Sequence, residues 1–209
     1  YHHLPKSDGK PLIVDASSDI TGVDIDISKH DIVYAGAQKN LGPSGVTLVI
    51  LSPWAVSRIG DDIPTMLDYI THIEKGSMFN TPNTFGIFVL GRVFSWLERN
   101  GGMKGAIKRN EEKARLLYGE LDRTDFWEPH AAIDSRSKMN VTWRLENKSL
   151  EGVFLEEALE NGLGGLKGHR SVGGIRASLY NYISIDSVIE LVRFMKGFEE
   201  KYKNYENIN

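Results

Sequence analysis

The chain has no cysteine among its 209 residues. That excludes disulfides, thiolate–metal sites and catalysis by a cysteine nucleophile, and it accords with a reduced, cytoplasmic setting. No apolar run approaches the roughly 20 residues needed to cross a bilayer as a helix. Neither sign of charge is in marked excess, with 25 Lys and Arg against 28 Asp and Glu. The formal net charge of −3 gives no electrostatic case for nucleic acid or an acidic membrane surface. The six histidines show no metal-ligand spacing on a shared helix face, so no metal site is expected. The opening residues, Tyr1-His2-His3-Leu4-Pro5, carry neither an initiator methionine nor the charged-then-apolar pattern of a signal peptide. The chain is therefore expected to begin inside a longer gene product.

What is present suits an ordinary globular protein, 41% hydrophobic and 25% charged. Pro11-Leu12-Ile13-Val14, Ile32-Val33-Tyr34-Ala35 and Val46-Thr47-Leu48-Val49-Ile50-Leu51 are short apolar runs bounded by turn formers. They predict strands of an α/β sheet covered on both faces. From Thr84 to Asn100 apolar residues recur at helical steps (Phe85, Phe88, Val89, Val93, Leu97), and Gly101-Gly102 ends the pattern. A second helix is expected from Met103 to Leu121. Further on come a strand at Met139-Asn140-Val141-Thr142-Trp143, a helix capped by Ser149 and ended by Gly162, and a strand from Arg176 to Tyr180. A last helix should open on the capping box Ser187-x-x-Glu190 and bury Val188, Leu191, Met195, Phe198 and Tyr202. The polar tail from Lys201 to Asn209 is expected to fray. This alternation divides the chain into an α/β part, residues 1–108, and a compact α+β domain, residues 109–209. The aromatic residues, among them Phe94, Trp96, Phe126, Trp127 and Trp143, are assigned to packing.

The chemistry points to Asp15 and Lys39, each just past the carboxyl end of an expected strand. Ligand crevices of open α/β sheets form at that edge. Pyridoxal phosphate needs a lysine for its Schiff base and an acid to keep its ring nitrogen protonated. The lysine, once displaced by a substrate amine, can act as a general base. An exposed ion pair would place the same two residues there, and spacing alone leaves both readings open.

The residues around them carry a resemblance. Gly36-Ala37-Gln38-Lys39-Asn40-Leu41-Gly42-Pro43-Ser44-Gly45 resembles the cofactor-lysine segment of the phosphoserine aminotransferases, a group within the class V pyridoxal-phosphate aminotransferases. Asp15-Ala16-Ser17-Ser18-Asp19 resembles their aspartate segment, and Gly76-Ser77-Met78-Phe79-Asn80-Thr81-Pro82 a third segment. Lys167-Gly168-His169-Arg170-Ser171-Val172-Gly173-Gly174-Ile175-Arg176-Ala177-Ser178 resembles a fourth, all in the family's order. Asn83 stands where the family often has a second proline and is expected to loosen a turn.

The resemblance implies the type I fold of pyridoxal-phosphate transferases: the second half of a large α/β/α domain, then a small C-terminal α+β domain. It implies an exchange of an amino group between phosphoserine or 3-phosphohydroxypyruvate and glutamate or 2-oxoglutarate. Lys39 would bind the cofactor, Asp15 its ring nitrogen and Gln38 its phosphate. Asn80 and Thr81 would reach the phosphate of the other subunit's cofactor in a homodimer with shared active sites. Arg176 would grip the substrate α-carboxylate, and His169 and Arg170 the distal anion. A cationic pair suits that last task, because phosphoserine and glutamate both end in an anion. Solvated surface arginines remain the reading of these residues without the resemblance. The family's N-terminal portion, with its phosphate-binding amides and its stacking aromatic, is not in this sequence. A piece inactive without it is therefore one alternative. An alanine–glyoxylate or serine–pyruvate type enzyme is another, against which the His169-Arg170 pair and the Gln38-Lys39-Asn40 wording both argue. A cysteine desulfurase is opposed by the absence of cysteine.

Two glycine-rich stretches are set aside. Gly42 to Gly45 lacks the Gly-Lys-Ser/Thr ending of a nucleotide-binding loop. Gly162-Leu163-Gly164-Gly165-Leu166-Lys167 has Lys167 where a dinucleotide fingerprint needs a third glycine, and it follows a helix.

Overall fold

The three apolar runs near the start form one sheet in the computed structural model, which describes residues 4–169 and 173–204. Strand β1 (Ile13–Asp15) runs parallel to β2 (Ile32–Gly36), and β2 pairs antiparallel with β3 (Thr47–Leu51). Side chains alternate across a strand. In β2, Val33 and Ala35 accordingly turn to a core shared with Ala16, Ala37 and Leu41, while Tyr34 points the other way. Ile13 is 55% exposed. On that second face Ile13 and Tyr34 are exposed within this chain, while Ile32, Val49 and Leu51 are half-buried.

Helix α1 (Pro53–Ser57) starts at Ser52, whose hydroxyl accepts from the Ala55 amide, and α2 (Tyr69–Glu74) is capped by Asp68. Helix α3 (Thr84–Arg99) is capped by Asn83, whose Oδ1 accepts from the Gly86 amide at 3.0 Å. The asparagine at this position therefore caps a helix rather than loosening a turn. The buried stripe of α3 also departs in its first turns from the one expected. Leu97 is buried as expected and Val89 and Val93 are half-buried, but Phe85 and Phe88 are 70% and 64% exposed, and Gly86 is buried at the start of the helix instead. The cause is close approach to the sheet: a Cβ on Gly86 would stand 2.6 Å from the Val46 side chain. Leu90, one turn on, packs against the sheet core.

The chain divides into two compact units, Leu4–Gly105 and a second that begins at Ala106. Helix α4 (Gly102–Leu121) leads into the second, followed by β4 (Trp127–Pro129), β5 (Asn140–Leu145), α5 (Glu151–Glu160), β6 (Lys167–His169), β7 (Gly173–Ser178) and α6 (Ile185–Tyr202). The strands form an antiparallel sheet in the order β4-β5-β7-β6. Val141, Trp143 and Leu145 alternate inward from β5. They meet Leu117 and Leu121 of α4, Phe154 and Ala158 of α5, and Val188, Leu191, Met195 and Phe198 of α6. Phe154 is the hub of this core. Its ring centroid lies 5.7 Å from that of Trp127, 5.2 Å from Phe194 and 5.1 Å from Phe198.

Several boundaries differ from those read in the sequence. Ser149 does not cap α5. Asn147 accepts from the Ser149 amide and hydroxyl and starts a short 3-10 turn, Lys148–Leu150, ahead of the helix. Ser187 does not open α6. Ser184 does, accepting from the Ser187 amide at 3.1 Å, while Glu190 pairs with Arg193. Both misplacements have one cause: a second polar residue two or three positions upstream is equally able to cap. Strand β7 ends at Ser178, so Leu179 and Tyr180 leave it. Strands β4 and β6, three residues each, are too short for alternation to reveal. The tail does not fray at Lys201, because α6 runs to Tyr202 and Glu157 accepts from both Lys201 Nζ (2.8 Å) and Tyr202 Oη (2.5 Å). Residues 205–209 lie outside the described ones.

Candidate cofactor site

In the first unit, two short chain segments leave adjacent parallel strands and are bonded to each other. Asp15 ends β1 opposite Tyr34 of β2. Its carboxylate accepts from the Ser17 amide at 2.9 Å. The hydroxyl and amide of Ser17 hold the Asp15 carboxyl below the usual carboxylate range, and the Tyr34 phenol and the Lys39 charge act in the same direction. The Asp15 charge in turn pushes the Tyr34 phenol up. Ser17 Oγ also accepts from the Gly36 amide at 3.0 Å, which closes the end of β1 against the end of β2.

Lys39 lies in the turn after β2. That turn is anchored by the buried Ala37 and Leu41 and by amides of Leu41 and Gly42 donating to the Ala37 carbonyl. The Lys39 side chain reaches outward, and its Nζ donates to Ser18 Oγ at 2.6 Å. The next residue, Asn40, is buried. Its Nδ2 donates to the carbonyls of Ser18 (3.3 Å) and Ile20 (3.1 Å). Thr21, which follows Ile20, is held at φ 58°. That left-handed conformation is unfavourable for a β-branched residue and is found where surrounding structure imposes it.

Asp15, Lys39 and Gln38 are therefore brought to one edge of one sheet. Gln38 is exposed and folds back along the turn, so that a Cβ on Gly36 would stand 2.4 Å from its Oε1. Asn80 and Thr81 stand in the exposed loop before α3, where Asn80 Nδ2 donates to the Thr81 carbonyl. The remaining expected residues belong to the second unit. Arg176 lies on β7 opposite Thr142, with its amide donating to the Leu166 carbonyl at 2.7 Å. Its Nε is buried and has no hydrogen-bond partner among the described residues, as fits a guanidinium kept for a ligand anion. His169 ends β6 opposite Gly173. Arg170 lies outside the described residues. The antiparallel pairing of β6 with β7 depends on Gly168, where a Cβ would stand 2.0 Å from the Gly173 carbonyl oxygen.

This donor set fits pyridoxal phosphate. It offers an outward-reaching lysine amine and a carboxylate that stays ionised at neutral pH, as a protonated ring nitrogen requires. Among the described residues no group of His, Cys, Asp or Glu is placed to hold a metal ion, and no helix is long and apolar enough to cross a membrane. The sequence reading named the ionic pair but gave no role to Ser17, Ser18, Tyr34 and Asn40. The signal was two hydroxyls two and three residues after the aspartate and a carboxamide directly after the lysine.

Comparison with known proteins gives a consistent result. The aminotransferase class-V family model matches residues 2–191. The phosphoserine aminotransferase of Lysinibacillus sphaericus (strain C3-41) is 48% identical over 204 residues, 97% of this chain and 56% of that protein. The solved structure of phosphoserine aminotransferase from Bacillus circulans subsp. alkalophilus is 44% identical with a TM-score of 0.92. It covers 96% of this chain and 56% of its own. The pyridoxal-phosphate-bound phosphoserine aminotransferase of Trichomonas vaginalis is 33% identical with a TM-score of 0.86, covering 92% of this chain and 55% of its own. The chain thus spans about half the length of the relatives it matches, and over that length it has their α/β fold.

Proposed function

We propose, from the premise that this chain belongs to the aminotransferase class-V family, that the protein containing it exchanges an amino group between phosphoserine and 2-oxoglutarate with pyridoxal phosphate. The observation that carries this reading is the outward-reaching Lys39 amine and the low-pKa Asp15 carboxylate at the ends of two adjacent strands. The 48% identity to a phosphoserine aminotransferase supports the substrate.

When bound, pyridoxal phosphate supplies an electron sink for the pair left at the substrate α-carbon. Lys39 would hold the cofactor, and its amine, when not so engaged, would take and return the substrate α-proton. Asp15, kept ionised by Ser17, would accept a hydrogen bond from the protonated ring nitrogen. Gln38 serves the cofactor phosphate, and Asn80 and Thr81 serve that of a second subunit, which makes the enzyme a homodimer. Arg176, whose Nε has no hydrogen-bond partner among the described residues, takes the substrate α-carboxylate. His169 and Arg170 take the distal phosphate or carboxylate, charge-assisted contacts that both substrates can satisfy. In this reading residues 1–108 are part of the large cofactor-binding domain and residues 109–209 the small one. The enzyme works in the cytoplasm, in serine biosynthesis, together with the N-terminal segment of the same protein.

The test uses the protein expressed from its complete gene. After incubation with pyridoxal phosphate and reduction with borohydride, the label is expected on the peptide containing Lys39. Amino transfer to 2-oxoglutarate is expected from phosphoserine and not from alanine. Label elsewhere, or a Lys39→Ala protein that still turns over, would refute the cofactor assignment. Equal use of alanine would leave a transaminase but remove the phosphoserine reading.

A further inference from the structure

Lysine side chains at protein surfaces are mobile, and one exposed contact ordinarily fixes little. Lys39 is held differently, because both ends of its contact stand on fixed chain. On one side the turn is anchored by the buried Ala37 and Leu41. On the other, Ser18 sits in a turn closed by the amides of Asp19 and Ile20 donating to the carbonyl of the buried Ala16. The side chain of Asn40, next to Lys39, ties the two together by donating to the Ser18 and Ile20 carbonyls. The segment after the aspartate and the segment around the lysine therefore move as one piece. The Ser18 hydroxyl is the point on that piece to which the amine donates, at 2.6 Å.

We propose that Ser18 is a positioning residue for Lys39: its hydroxyl receives the lysine amine whenever that amine is not committed to the cofactor, and sets the direction from which it takes and returns the substrate proton. The inference depends on the proposed transaminase reading. In the step concerned, the neutral Lys39 amine takes the α-proton. The C–H bond breaks, an N–H bond forms, and the electron pair stays with the substrate. Of the three N–H groups of the resulting ammonium, one can point at Ser18 Oγ while another carries the transferred proton. An amine without this acceptor samples more rotamers, and proton transfer loses the alignment that makes it fast. Asn40 bonds to the backbone carbonyl of Ser18, so removing the hydroxyl leaves that link, and with it the local fold, in place.

The experiment compares wild type, Ser18→Ala, Ser18→Thr and Lys39→Ala in the protein from its complete gene. In the cofactor-free protein, Lys39 of Ser18→Ala is expected to react with an amine-selective reagent about three- to tenfold faster than wild type, the range that loss of one ordinary, solvent-exposed hydrogen bond gives. In the loaded enzyme, Ser18→Ala should lower kcat about tenfold with KM for phosphoserine little changed, and should enlarge the isotope effect with α-deuterated glutamate. Ser18→Thr should restore both. Unchanged labelling and an unchanged isotope effect in Ser18→Ala would overturn the proposal, and so would a kcat loss that tracks a fall in Tm and is not rescued by threonine. Lys39→Ala separates this from failure of the underlying reading. An active Lys39→Ala protein refutes the transaminase assignment, whereas an inactive one beside a fully active Ser18→Ala refutes the role of Ser18 alone.

Discussion

Replacing Lys113 with methionine should make the protein respond less to alkaline pH. Lys113, on α4, is 2% exposed. Its Nζ donates to the carbonyls of Leu179 (2.7 Å), Tyr180 (2.9 Å) and Ile183 (3.0 Å), fixing the segment between β7 and α6. Burial, with a further contribution from the Arg109 charge, pushes its pKa from 10.5 down to about 8. Between those values the unfolded chain binds more protons than the folded one, so stability rises with pH. The contribution is complete above 10.5 and is lost as pH falls through about 8. Integrated from about pH 7 to about pH 9, the gain through this group is about 1.3 kcal/mol. Lys113→Met cannot titrate and so lacks that gain. It also leaves the buried Leu179 carbonyl without its donor, which costs about 1–3 kcal/mol. Relief from burying a charge offsets part of this cost near neutral pH. The deficit of the variant should therefore be modest at about pH 7 and about 1.3 kcal/mol larger at about pH 9. Urea unfolding followed by circular dichroism at the two pH values measures it. A wild type and a variant whose stabilities run parallel over this range would show that Lys113 does not titrate as its burial requires.

Other expectations concern single contacts. Asn40→Leu should destabilise the first unit by about 2 kcal/mol through loss of two hydrogen bonds and weaken cofactor retention, read by urea melts and equilibrium dialysis. Ser184→Ala should cost about 1 kcal/mol and Ser187→Ala distinctly less; equal costs would return the helix start to Ser187. Gly168→Ala should lower stability by more than about 2 kcal/mol, because the added methyl has no room beside the Gly173 carbonyl. Asp15→Asn should keep the borohydride label on Lys39 yet lower turnover on the order of a hundredfold or more, as loss of a preorganised charge does.

Much of the fold was legible because its elements are long or strongly patterned. The three strand runs, α3, α4 and α6 all lie within a few residues of where hydrophobic periodicity put them. The failures share a physical origin in features that only tertiary contact decides. Gly86 takes the inward place on α3 because a glycine lets the helix approach Val46, and this turns Phe85 and Phe88 outward although period alone would bury them. Strand β6 exists because Gly168 lets two backbones touch, which three residues of sequence do not reveal. At the site, Asp15 and Lys39 were legible as charges at strand ends. Ser18 and Asn40 were not, because hydroxyl and carboxamide groups are common in turns, and only the fold brings residue 40 to residues 18 and 20.

The Phe154-centred core has a practical consequence for watching this molecule unfold. The four tryptophans divide evenly between the units. Trp127 and Trp143 are enclosed in that core, whereas Trp54 and Trp96 are 43% and 40% exposed. An indole leaving an apolar enclosure changes the colour of its emission, and one already near water changes little. The red shift of intrinsic fluorescence therefore reports the opening of the second unit. A protein carrying Trp54→Phe and Trp96→Phe would isolate that signal without touching the Lys39 site, so the opening of the second unit can be followed through a melt by light alone.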